Sequence, residues 1–517
     1  MAGLGAWLDE RTGWRAWAQA RAGEAIPGGA RLRYALGAAL AYLFMQQVAL
    51  GILLALYYSP SAAGAWASTA YLNDQVSGGW FLRGLHYHGS SLMVLLCGVH
   101  FAQVVIAGAY RRPREVNWWI GLVMAALVLA FTLTGYMLPW DQMAYWGTQV
   151  RGGIAGSAPG GETLFQLVQG GREAGNLTLT RTYAIHVFAL PIALGALLVA
   201  LVRLARRHGV TPPAGLDEAE LSRRAQPRWP HQLAIDVLVM ALCGAGLVAA
   251  TMMTHGAELY APADPSSNFV ARPEWFFLFL FQLLKYFEGP LQAVATVLLP
   301  GAIAVFLVAL PFLDRAPSRR ARGRAPVLAA VGALMAGVVA LTAIAVAEDA
   351  GDTEYQEGLA AARADAAKAR ALAREGVPPA GGVAVWENDP EFQVRALYKE
   401  QCAGCHMLGG KGGEDAPSFD GYGTREWLAA LLRDPGAKRF YGGTKGHTAM
   451  EPLKAEDVPD DELRALVEYV YGLMGPEAGP IDAALAERGR ALWDEKLECS
   501  GCHEVEAGKE SAGPALG

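Results

Sequence analysis

Charged side chains are scarce in this chain. Asp, Glu, Lys and Arg make up 18% of the 517 residues, whereas hydrophobic residues make up 53%. This balance excludes a single soluble domain and indicates a membrane protein. Cysteine is rarer still, with six residues, and Cys97 and Cys243 stand singly inside apolar stretches, where we expect them to be packing residues. With a net charge of −6 we expect no nucleic-acid partner.

Seven apolar runs are long enough to cross a bilayer as helices. We expect no cleavable signal peptide, because the N-terminal 30 residues are polar and carry three tryptophans, as in an interfacial helix. We therefore expect the first run to direct insertion. The predicted spans lie near residues 33–57, 91–110, 116–138, 183–205, 232–254, 291–313 and 326–347.

Arginines cluster in alternate loops: before the first span, and after the second, fourth and sixth spans. Basic loops stay in the cytoplasm, so an odd number of spans places the last 170 residues or so outside. That tail is acidic, near −14, while the rest is near +8. We therefore expect a multi-pass protein of the bacterial inner membrane whose C-terminal part lies in the periplasm.

His86 and His100 lie fourteen residues apart in one apolar stretch. Fourteen residues are close to four helical turns, so both imidazoles face the same side, roughly 21 Å apart along the axis. Neutral imidazole is a haem ligand that needs no charge inside a membrane, so the spacing is typical of two stacked haems. The alternative is a pair of polar residues that hydrogen-bond between helices.

The acidic tail contains two CxxCH motifs, CAGCH at 402–406 and CSGCH at 499–503. Two thiols one turn apart form thioethers to haem vinyl groups, and the adjacent histidine ligates the iron. A redox disulfide or half of a zinc site are the alternatives. We expect two covalently attached c haems, whose attachment and ligand residues are Cys402, Cys405 and His406, and Cys499, Cys502 and His503.

The two motifs lie in an internal repeat, in which RALYKEQCAGCH at 395–406 matches RALWDEKLECSGCH at 490–503. In the first copy we expect Met450 to be the distal ligand, with His447 as the alternative. The second copy stops at Gly517, about where the first has reached Gly423. We expect the natural chain to continue; otherwise the second haem is open on one side.

Four motifs follow one another along the membrane part: FLRGLHYHGSSLMVLLCGVH at 81–100, TGYMLPWDQMAYWG at 134–147, LTLTRTYAIHVFALP at 177–191 and RPEWFF at 272–277. In this order they resemble cytochrome b of the quinol:cytochrome c oxidoreductases, the bc and bf complexes. The resemblance covers roughly residues 30–315. It implies that Gly37 and Gly51 in the first span let a flat macrocycle approach the backbone.

The same resemblance assigns the haem ligands. His86 and His186 are implied to hold the haem nearer the outer face, with Arg83 and Arg181 paired to its propionates. His100 is implied to hold the inner haem.

The inner haem departs from the family pattern. The partner of His100 is expected fourteen or fifteen residues after His186, where Ala200 and Leu201 stand. His208 lies beyond that level, and we expect it to be a solvated surface residue. The inner haem is then five-coordinate, held by another ligand or missing. Ala35 stands where the bf branch has a haem-linking cysteine, and His88 is expected to make a polar contact.

The RPEWFF motif is implied to line a quinol oxidation site on the outer loop between spans five and six. Glu274 would accept a proton from quinol. Pro273, Trp275, Phe276 and Tyr136 would shape the apolar pocket. An ordinary interfacial charge is the alternative for Glu274.

The resemblance implies a respiratory quinol:cytochrome c oxidoreductase subunit that translocates protons and passes electrons to b haems and, through a separate Rieske protein, to the tethered c haems. The Rieske partner must be separate because this chain has no further cysteine and histidine set for an iron–sulfur cluster. Membrane quinol and quinone, a downstream cytochrome c or terminal oxidase, and a second copy in a homodimer are the other expected partners. The alternative is a membrane electron conduit or dehydrogenase anchor without quinol oxidation of its own.

The predicted fold is an all-α membrane protein of seven transmembrane helices followed by an α-helical c-type cytochrome module. Residues 354–374 are expected to form a helical spacer that leads away from the membrane. The predicted segments are an interfacial N-terminus at 1–30, a four-helix haem b bundle at 31–210, a three-helix quinol-site half at 211–350, a linker at 351–380, and cytochrome c domains at 381–475 and 476–517.

Overall fold

The computed structural model describes residues 3–156, 158, 160–267, 269–287, 289–444, 450–475 and 479–505. Two compact units divide the chain, Met1–Asn388 and Asp389–Gly517. The boundary lies eight residues after the predicted end of the linker. The seven predicted spans are confirmed as long apolar helices, which we number span 1 to span 7: Leu32–Ala55, Gly79–Ala107, Glu115–Met137, Asn176–His208, Arg228–Thr254, Val294–Leu313 and Ala321–Gly351.

Shorter helices join the spans. They are Leu4–Thr12, Trp14–Ala22, Ala65–Asp74, Gln142–Gly156, Gly161–Gln169, Glu218–Arg223, Trp275–Leu284, Gly289–Leu291, Thr353–Glu375 and Gly382–Asn388. One short antiparallel pair links β1 (Ala25–Ile26) to β2 (Gln226–Pro227), with Ala25 opposite Pro227. The N-terminal segment is thereby attached to the start of span 5.

The first five spans share one apolar core. Leu43 and Phe44 of span 1 pack with Met93 of span 2, Leu194 of span 4 and Leu247 of span 5. Span 5 contacts spans 1 and 2 directly. Span 5 therefore packs directly against the four spans that precede it.

A buried ion pair joins the arginine-rich ends of spans 2, 6 and 7. Arg324 donates from Nε to Asp314 at 2.7 Å, and its other nitrogens donate to the carbonyls of Val105 and Ile106. The Tyr110 hydroxyl also donates to Asp314, at 2.7 Å. Burial alone would raise the pKa of Asp314, but the hydrogen bonds from Arg324 and Tyr110 hold it below its usual value. Both charges are thus satisfied inside the protein.

The predicted spacer helix packs back onto the membrane unit. Asp352 caps Thr353–Glu375 by accepting from the backbone N–H of Tyr355 at 3.0 Å. The buried Ala369 and Ala373 of this helix pack with Trp66 and Ala70 of the helix Ala65–Asp74. Residues 354–374 are therefore helical, as predicted, but the helix belongs to the membrane unit and is not a free spacer. Small alanine side chains allow this close approach between helices, and sequence alone does not distinguish it from a solvated helix.

The second unit holds both CxxCH motifs around one core. Its helices are Pro390–Leu397, Tyr398–Cys402, Arg425–Arg433, Asp460–Gly472, Ala483–Ala491, Leu492–Lys496 and Cys499–Gly501, and its two strands are β3 (Met407–Leu408) and β4 (Lys411–Gly412). Leu432 and Leu466, from the first copy of the repeat, pack with Trp493 and Leu497 from the second. The two predicted cytochrome c domains are therefore parts of one compact unit.

Candidate functional site

His86 and His186 face each other across the interior of the membrane unit. Their ring centres lie 6.3 Å apart, with the ring planes at 70°. Two imidazoles that ligate one metal ion from opposite sides have ring centres about 6 Å apart, because each metal–nitrogen bond is about 2 Å. The pair assigned to the outer haem is thus brought together at a separation that suits a shared iron.

The tautomer of His186 follows from its neighbours. Its Nδ1 lies 2.9 Å from the Thr134 hydroxyl oxygen, and that hydroxyl donates its own proton to the carbonyl of Ala130 at 2.7 Å. Nδ1 therefore carries the proton, which leaves Nε2 free to ligate a metal. The buried Nδ1 of His86 has no hydrogen-bond partner within the described part of the chain.

Two glycines lie against these rings. A Cβ at Gly51 would stand 3.4 Å from the His86 ring, and a Cβ at Gly135 would stand 2.8 Å from the His186 ring. The second distance is too short for any side chain, so position 135 requires glycine. Gly51 was predicted, whereas Gly135 was missed.

His100 lies on span 2, fourteen residues after His86 and closer to the arginine-rich end of the span. Its buried Nδ1 has no partner among the described residues. A Cβ at Gly37 or at Gly121 would meet nothing within 4 Å, so both glycines border open space. Leu201 stands on span 4 where a second ligand is expected, and its side chain cannot bind iron. The residues present therefore fit an iron ligated from one side by histidine, and no bis-histidine site.

His208 is better anchored than the sequence indicated. Its Nδ1 lies 3.0 Å from the Asn117 side-chain oxygen, and its carbonyl accepts from Arg114 at 2.8 Å. The residue is half-buried rather than solvated. His88 makes the polar contact that was predicted, with Nε2 2.8 Å from the Thr254 hydroxyl.

Arg83 and Arg181 both bond to backbone carbonyls of the loops at the end opposite the arginine-rich face. Arg83 donates to the carbonyls of Ala257 and Glu258, each at 2.9 Å. Arg181 donates to the carbonyl of Leu167. Their pairing with haem propionates stays a prediction.

The motif after span 3 is bonded to the loop after span 5. Asp141 accepts from the backbone N–H groups of Ala144 and Tyr260, at 2.9 and 3.0 Å. The N–H of Gln142 donates to the carbonyl of Ala261 at 2.9 Å. Burial raises the pKa of Asp141, although the two N–H donors oppose that rise. These bonds hold TGYMLPWDQMAYWG beside the loop that leads to RPEWFF.

Glu274 reaches the helix that carries His86. Its Oε1 accepts from the Tyr87 hydroxyl at 3.0 Å, and Tyr87 directly follows His86. Burial raises the pKa of Glu274, the hydrogen bond from Tyr87 opposes that rise, and the nearby Glu258 adds to it. A carboxyl whose pKa moves toward neutrality is suited to accept and release protons.

Aromatic residues directly follow Glu274 in the chain. Phe276 is buried and packs edge-on against Trp275, which is partly exposed. Pro273 lies in the extended segment just before this helix. The Tyr136 hydroxyl is 3.4 Å from the carbonyl of Arg272, the first residue of the motif. The five residues predicted to form a quinol pocket thus come from segments that meet here.

Arg151 also borders this region and was missed by sequence reasoning. Its guanidinium lies over the Tyr136 ring, 5.4 Å from the ring centre, and donates to the Thr148 hydroxyl at 3.0 Å. Burial lowers the pKa of Arg151 to about 10. It therefore keeps its positive charge beside the pocket at neutral pH.

In the second unit, His406 is held by its neighbours in a defined tautomer. Its Nδ1 donates to the carbonyl of Pro417 at 2.6 Å, and its ring stacks on Phe419 at 4.2 Å. Since a carbonyl only accepts, Nδ1 is protonated and Nε2 is free for iron. The residues fit the proximal ligand of a c-type haem.

The two CxxCH motifs share one backbone conformation. The N–H of His406 donates to the carbonyl of Cys402 at 2.8 Å, and that of His503 to Cys499 at 2.9 Å. A π-helical turn includes the first cysteine in one copy, at Tyr398–Cys402, and ends three residues before it in the other, at Leu492–Lys496. The ring of His503 lies 6.0 Å from that of Trp493. This common geometry agrees with a duplicated haem-attachment segment.

Met450 packs against the core of this unit, beside Leu432 and Val458. Its role as the distal ligand stays a prediction. The alternative, His447, lies outside the described residues.

Comparison with known proteins decides the family. Residues 22–209 match the model of cytochrome b/b6/petB, and residues 262–361 match that of cytochrome b(C-terminal)/b6/petD. The cytochrome bc complex cytochrome b subunit of Chlorobaculum thiosulfatiphilum is 33% identical over 307 residues, which are 58% of this chain and 70% of that protein. The chain belongs to the cytochrome b/b6 family.

Three further comparisons agree. Cytochrome b6 of Synechococcus sp. (strain JA-3-3Ab) is 36% identical over 208 residues, covering 40% of this chain and 97% of that protein. A solved structure, "Hyperthermophilic respiratory Complex III", superposes with a TM-score of 0.59 at 26% identity, over 66% of this chain and 90% of the other. Residues 392–470 match the model of cytochrome c oxidase, cbb3-type, subunit III. The protein is thus a cytochrome b of a bc-type complex with a C-terminal cytochrome c module.

Membership implies haem b in the membrane unit and covalent haem c in the module. One signal in the sequence could have found the missed glycines of this cytochrome b: Gly121 and Gly135 lie fourteen residues apart on span 3, as Gly37 and Gly51 do on span 1. No local signal indicates the Tyr87–Glu274 contact, because its partners are 187 residues apart.

Proposed function

We propose that this cytochrome b is the quinol-oxidising subunit of a respiratory quinol:cytochrome c oxidoreductase. The observation that carries the proposal is the contact of Glu274 with Tyr87 at 3.0 Å. The contact joins a partly buried carboxyl to Tyr87, the residue that follows His86, and His86 in turn faces His186. A proton acceptor and a redox cofactor site are thereby adjacent, as oxidation of a quinol to a quinone requires, since two electrons and two protons must leave.

The residues of the pocket have separate roles. Glu274 would take a proton from a quinol hydroxyl, because its raised pKa brings its proton affinity closer to neutrality. Pro273, Trp275, Phe276 and Tyr136 would hold the apolar ring of the quinol and exclude water. Haem held by His86 and His186 would supply one-electron redox chemistry beside this pocket.

The remaining partners follow from what the chain contains. Two CxxCH motifs would attach two c haems, at Cys402 and Cys405 and at Cys499 and Cys502. Because the other two cysteines stand singly, an iron–sulfur cluster that accepts the first electron has to come from a separate Rieske protein. A homodimer, a membrane quinone and a downstream cytochrome c or terminal oxidase complete the proposed assembly. The relative named above is a subunit of a cytochrome bc complex, which supports a multi-subunit assembly.

Orientation follows from the charged loops. The arginine-rich face would lie in the cytoplasm of a bacterial inner membrane. The pocket around Glu274 and the cytochrome c module would then face the periplasm. Protons released there would contribute to a proton gradient.

The substitution Glu274→Gln tests the proposal. It removes the proton acceptor and keeps the side-chain volume, so quinol oxidation by the assembled complex should slow by about 10²-fold or more. Haem spectra should not change. Glu162→Gln, at an exposed position of the helix Gly161–Gln169 between spans 3 and 4, is the matched control and should retain full activity. Undiminished oxidation in the Glu274 variant would refute the proposal.

A second function, an electron conduit without quinol oxidation, has one observation in its favour. Leu201 leaves His100 without a histidine partner on span 4, so the usual inner route is altered. Inhibitors of the outer quinol site distinguish the two functions. A conduit would carry electrons to the c haems in their presence, whereas the quinol-oxidising subunit would not.

A further inference from the structure

Tyr87 has no role in the function as stated so far. It follows His86 on span 2, and its hydroxyl donates to Oε1 of Glu274 at 3.0 Å. No other side-chain hydrogen bond to this carboxylate occurs within the described part of the chain. Glu274 precedes a short helix, but its side chain makes no capping hydrogen bond to that helix. Only its backbone carbonyl bonds to the helix, by accepting from the N–H of Phe277 at 2.8 Å.

The carboxylate is therefore fixed from outside its own loop. A glutamate has several rotatable bonds, and a single strong donor on a rigid span selects one of its conformations. A hydrogen bond to an ionised acceptor is stronger than one to a neutral acceptor, so the bond also favours the ionised form. A residue that must receive a proton needs both a defined position and an ionised carboxylate.

We propose that Tyr87 is a positioning residue for quinol oxidation, which holds the Glu274 carboxylate toward the pocket and stabilises its ionised form. This inference rests on the proposed function, because it concerns the same site. Tyr87 acts through Glu274 and does not itself receive the proton.

Other groups around Glu274 do not replace this donor. Tyr136, from the end of span 3, bonds instead to the carbonyl of Arg272. Glu258, from the preceding loop, carries a like charge and is paired with Arg363 at 2.7 Å. Arg83 donates to loop carbonyls. Tyr87 is thus the neighbour that favours ionisation, while burial and Glu258 disfavour it.

The direction of the effect follows. Loss of the hydroxyl removes the interaction that lowers the pKa of Glu274, so this pKa should rise further. Quinol oxidation needs the ionised carboxylate, so the acid limb of the pH–rate profile should move to higher pH. We expect a shift of about one pH unit, which is a tenfold loss of rate on the acid limb. At high pH the two rates should converge.

The test is the variant Tyr87→Phe in the assembled complex, assayed with a decyl-chain quinol from pH 5 to 9. Tyr57→Phe, at the exposed end of span 1, is the matched control, and its profile should follow the wild type. The reduced-minus-oxidised haem spectrum checks that Tyr87→Phe leaves the site of His86 intact. A rate loss that is equal at every pH, or no loss, would overturn the inference.

A double substitution distinguishes an effect through Glu274 from a change in packing caused by Tyr87→Phe. In the Glu274→Gln background, Tyr87→Phe should have no further effect, because the group through which it acts is already neutral. An independent loss there would show that Tyr87 acts otherwise and would overturn the inference. Full activity of Glu274→Gln alone would instead refute the proposed function, so the two failures are distinguishable.

Discussion

The attachment of the helix Thr353–Glu375 to the membrane unit can be tested at one carboxylate. Asp74 accepts from Arg370 Nε at 2.9 Å and from Arg374 at 3.1 Å. Its side chain is 6% exposed, whereas that of Arg370 is 32% exposed. Asp74→Asn removes the charge and keeps the shape, so it should weaken the docking of this helix without disturbing Ala369 and the apolar contact.

The docking free energy lost in Asp74→Asn lies between two limits. Removing one partner of a fully buried ion pair costs about 3–5 kcal/mol, whereas an exposed pair contributes about 0–1 kcal/mol. With one buried and one third-exposed partner, we expect about 2 kcal/mol. Each 1.4 kcal/mol or so is tenfold in an equilibrium constant, so local undocking should become roughly 30-fold more frequent.

Hydrogen–deuterium exchange of the assembled complex measures this directly. Amides in residues 353–388 should exchange roughly 30-fold faster in Asp74→Asn, while the spans keep their protection. The matched control is Arg363→Gln, whose pair with Glu258 is exposed, at 58% and 45%. It should change exchange by less than about fivefold. Equal exchange in Asp74→Asn and wild type would refute the docking contribution of this ion pair.

The pH dependence of docking has a definite sign. Burial alone would raise the pKa of Asp74, but the hydrogen bonds from Arg370 and Arg374 bring it below 3.8. A depressed carboxyl pKa contributes stability that is present above the unfolded value and is lost as the pH falls through the folded one. Exchange in 353–388 should therefore be insensitive to this group between pH 5 and 8, once intrinsic exchange rates are corrected for.

Three further variants test other parts of the structure. Asp314→Asn leaves Arg324 buried without its charge partner, so the complex should lose about 3–5 kcal/mol of stability, measured as a lower Tm; an unchanged Tm would contradict the buried pair. Gly135→Ala puts a methyl group 2.8 Å from the His186 ring, so the reduced-minus-oxidised spectrum should show less haem b per chain, and full occupancy would contradict the fit. Met450→Leu conserves volume and should cost less than about 1.5 kcal/mol, yet it should lower the reduction potential of one c haem; an unchanged potential in a redox titration would exclude Met450 as the ligand.

The spans were predictable because each is a long apolar run. The ends of some spans could not be predicted in this way. Span 2 was expected at 91–110 and runs from Gly79 to Ala107. Its first turns contain arginine, histidines and glycines, which lower the hydropathy of the run. Polar residues that serve a site inside the membrane thus make the start of the helix that carries them hard to recognise from hydropathy.

The packing of the helix Thr353–Glu375 shows a second limit. Its buried face consists of Ala366, Ala369 and Ala373, and alanine also favours helices that pack against nothing, because it has the highest intrinsic helix propensity. The partner residue Trp66 lies at least 300 residues earlier. A tertiary contact of small side chains leaves no local signal.

The candidate site likewise has features that the sequence predicted and one contact that it did not. Spacing predicted that His86 and His100 share one helix face, and the resemblance supplied the pairing of His86 with His186. The hydrogen bond from Tyr87 to Glu274 depends on how the loop after span 5 returns to span 2, which no pattern within either segment encodes.

The central claim is that quinol is oxidised in the pocket around Glu274. Its most direct test is rapid mixing of the assembled complex with quinol, with and without an inhibitor of the outer quinol site, while haem b and haem c absorbance are followed together. The account predicts that the inhibitor stops reduction of both kinds of haem. Reduction of the c haems at the uninhibited rate would contradict it.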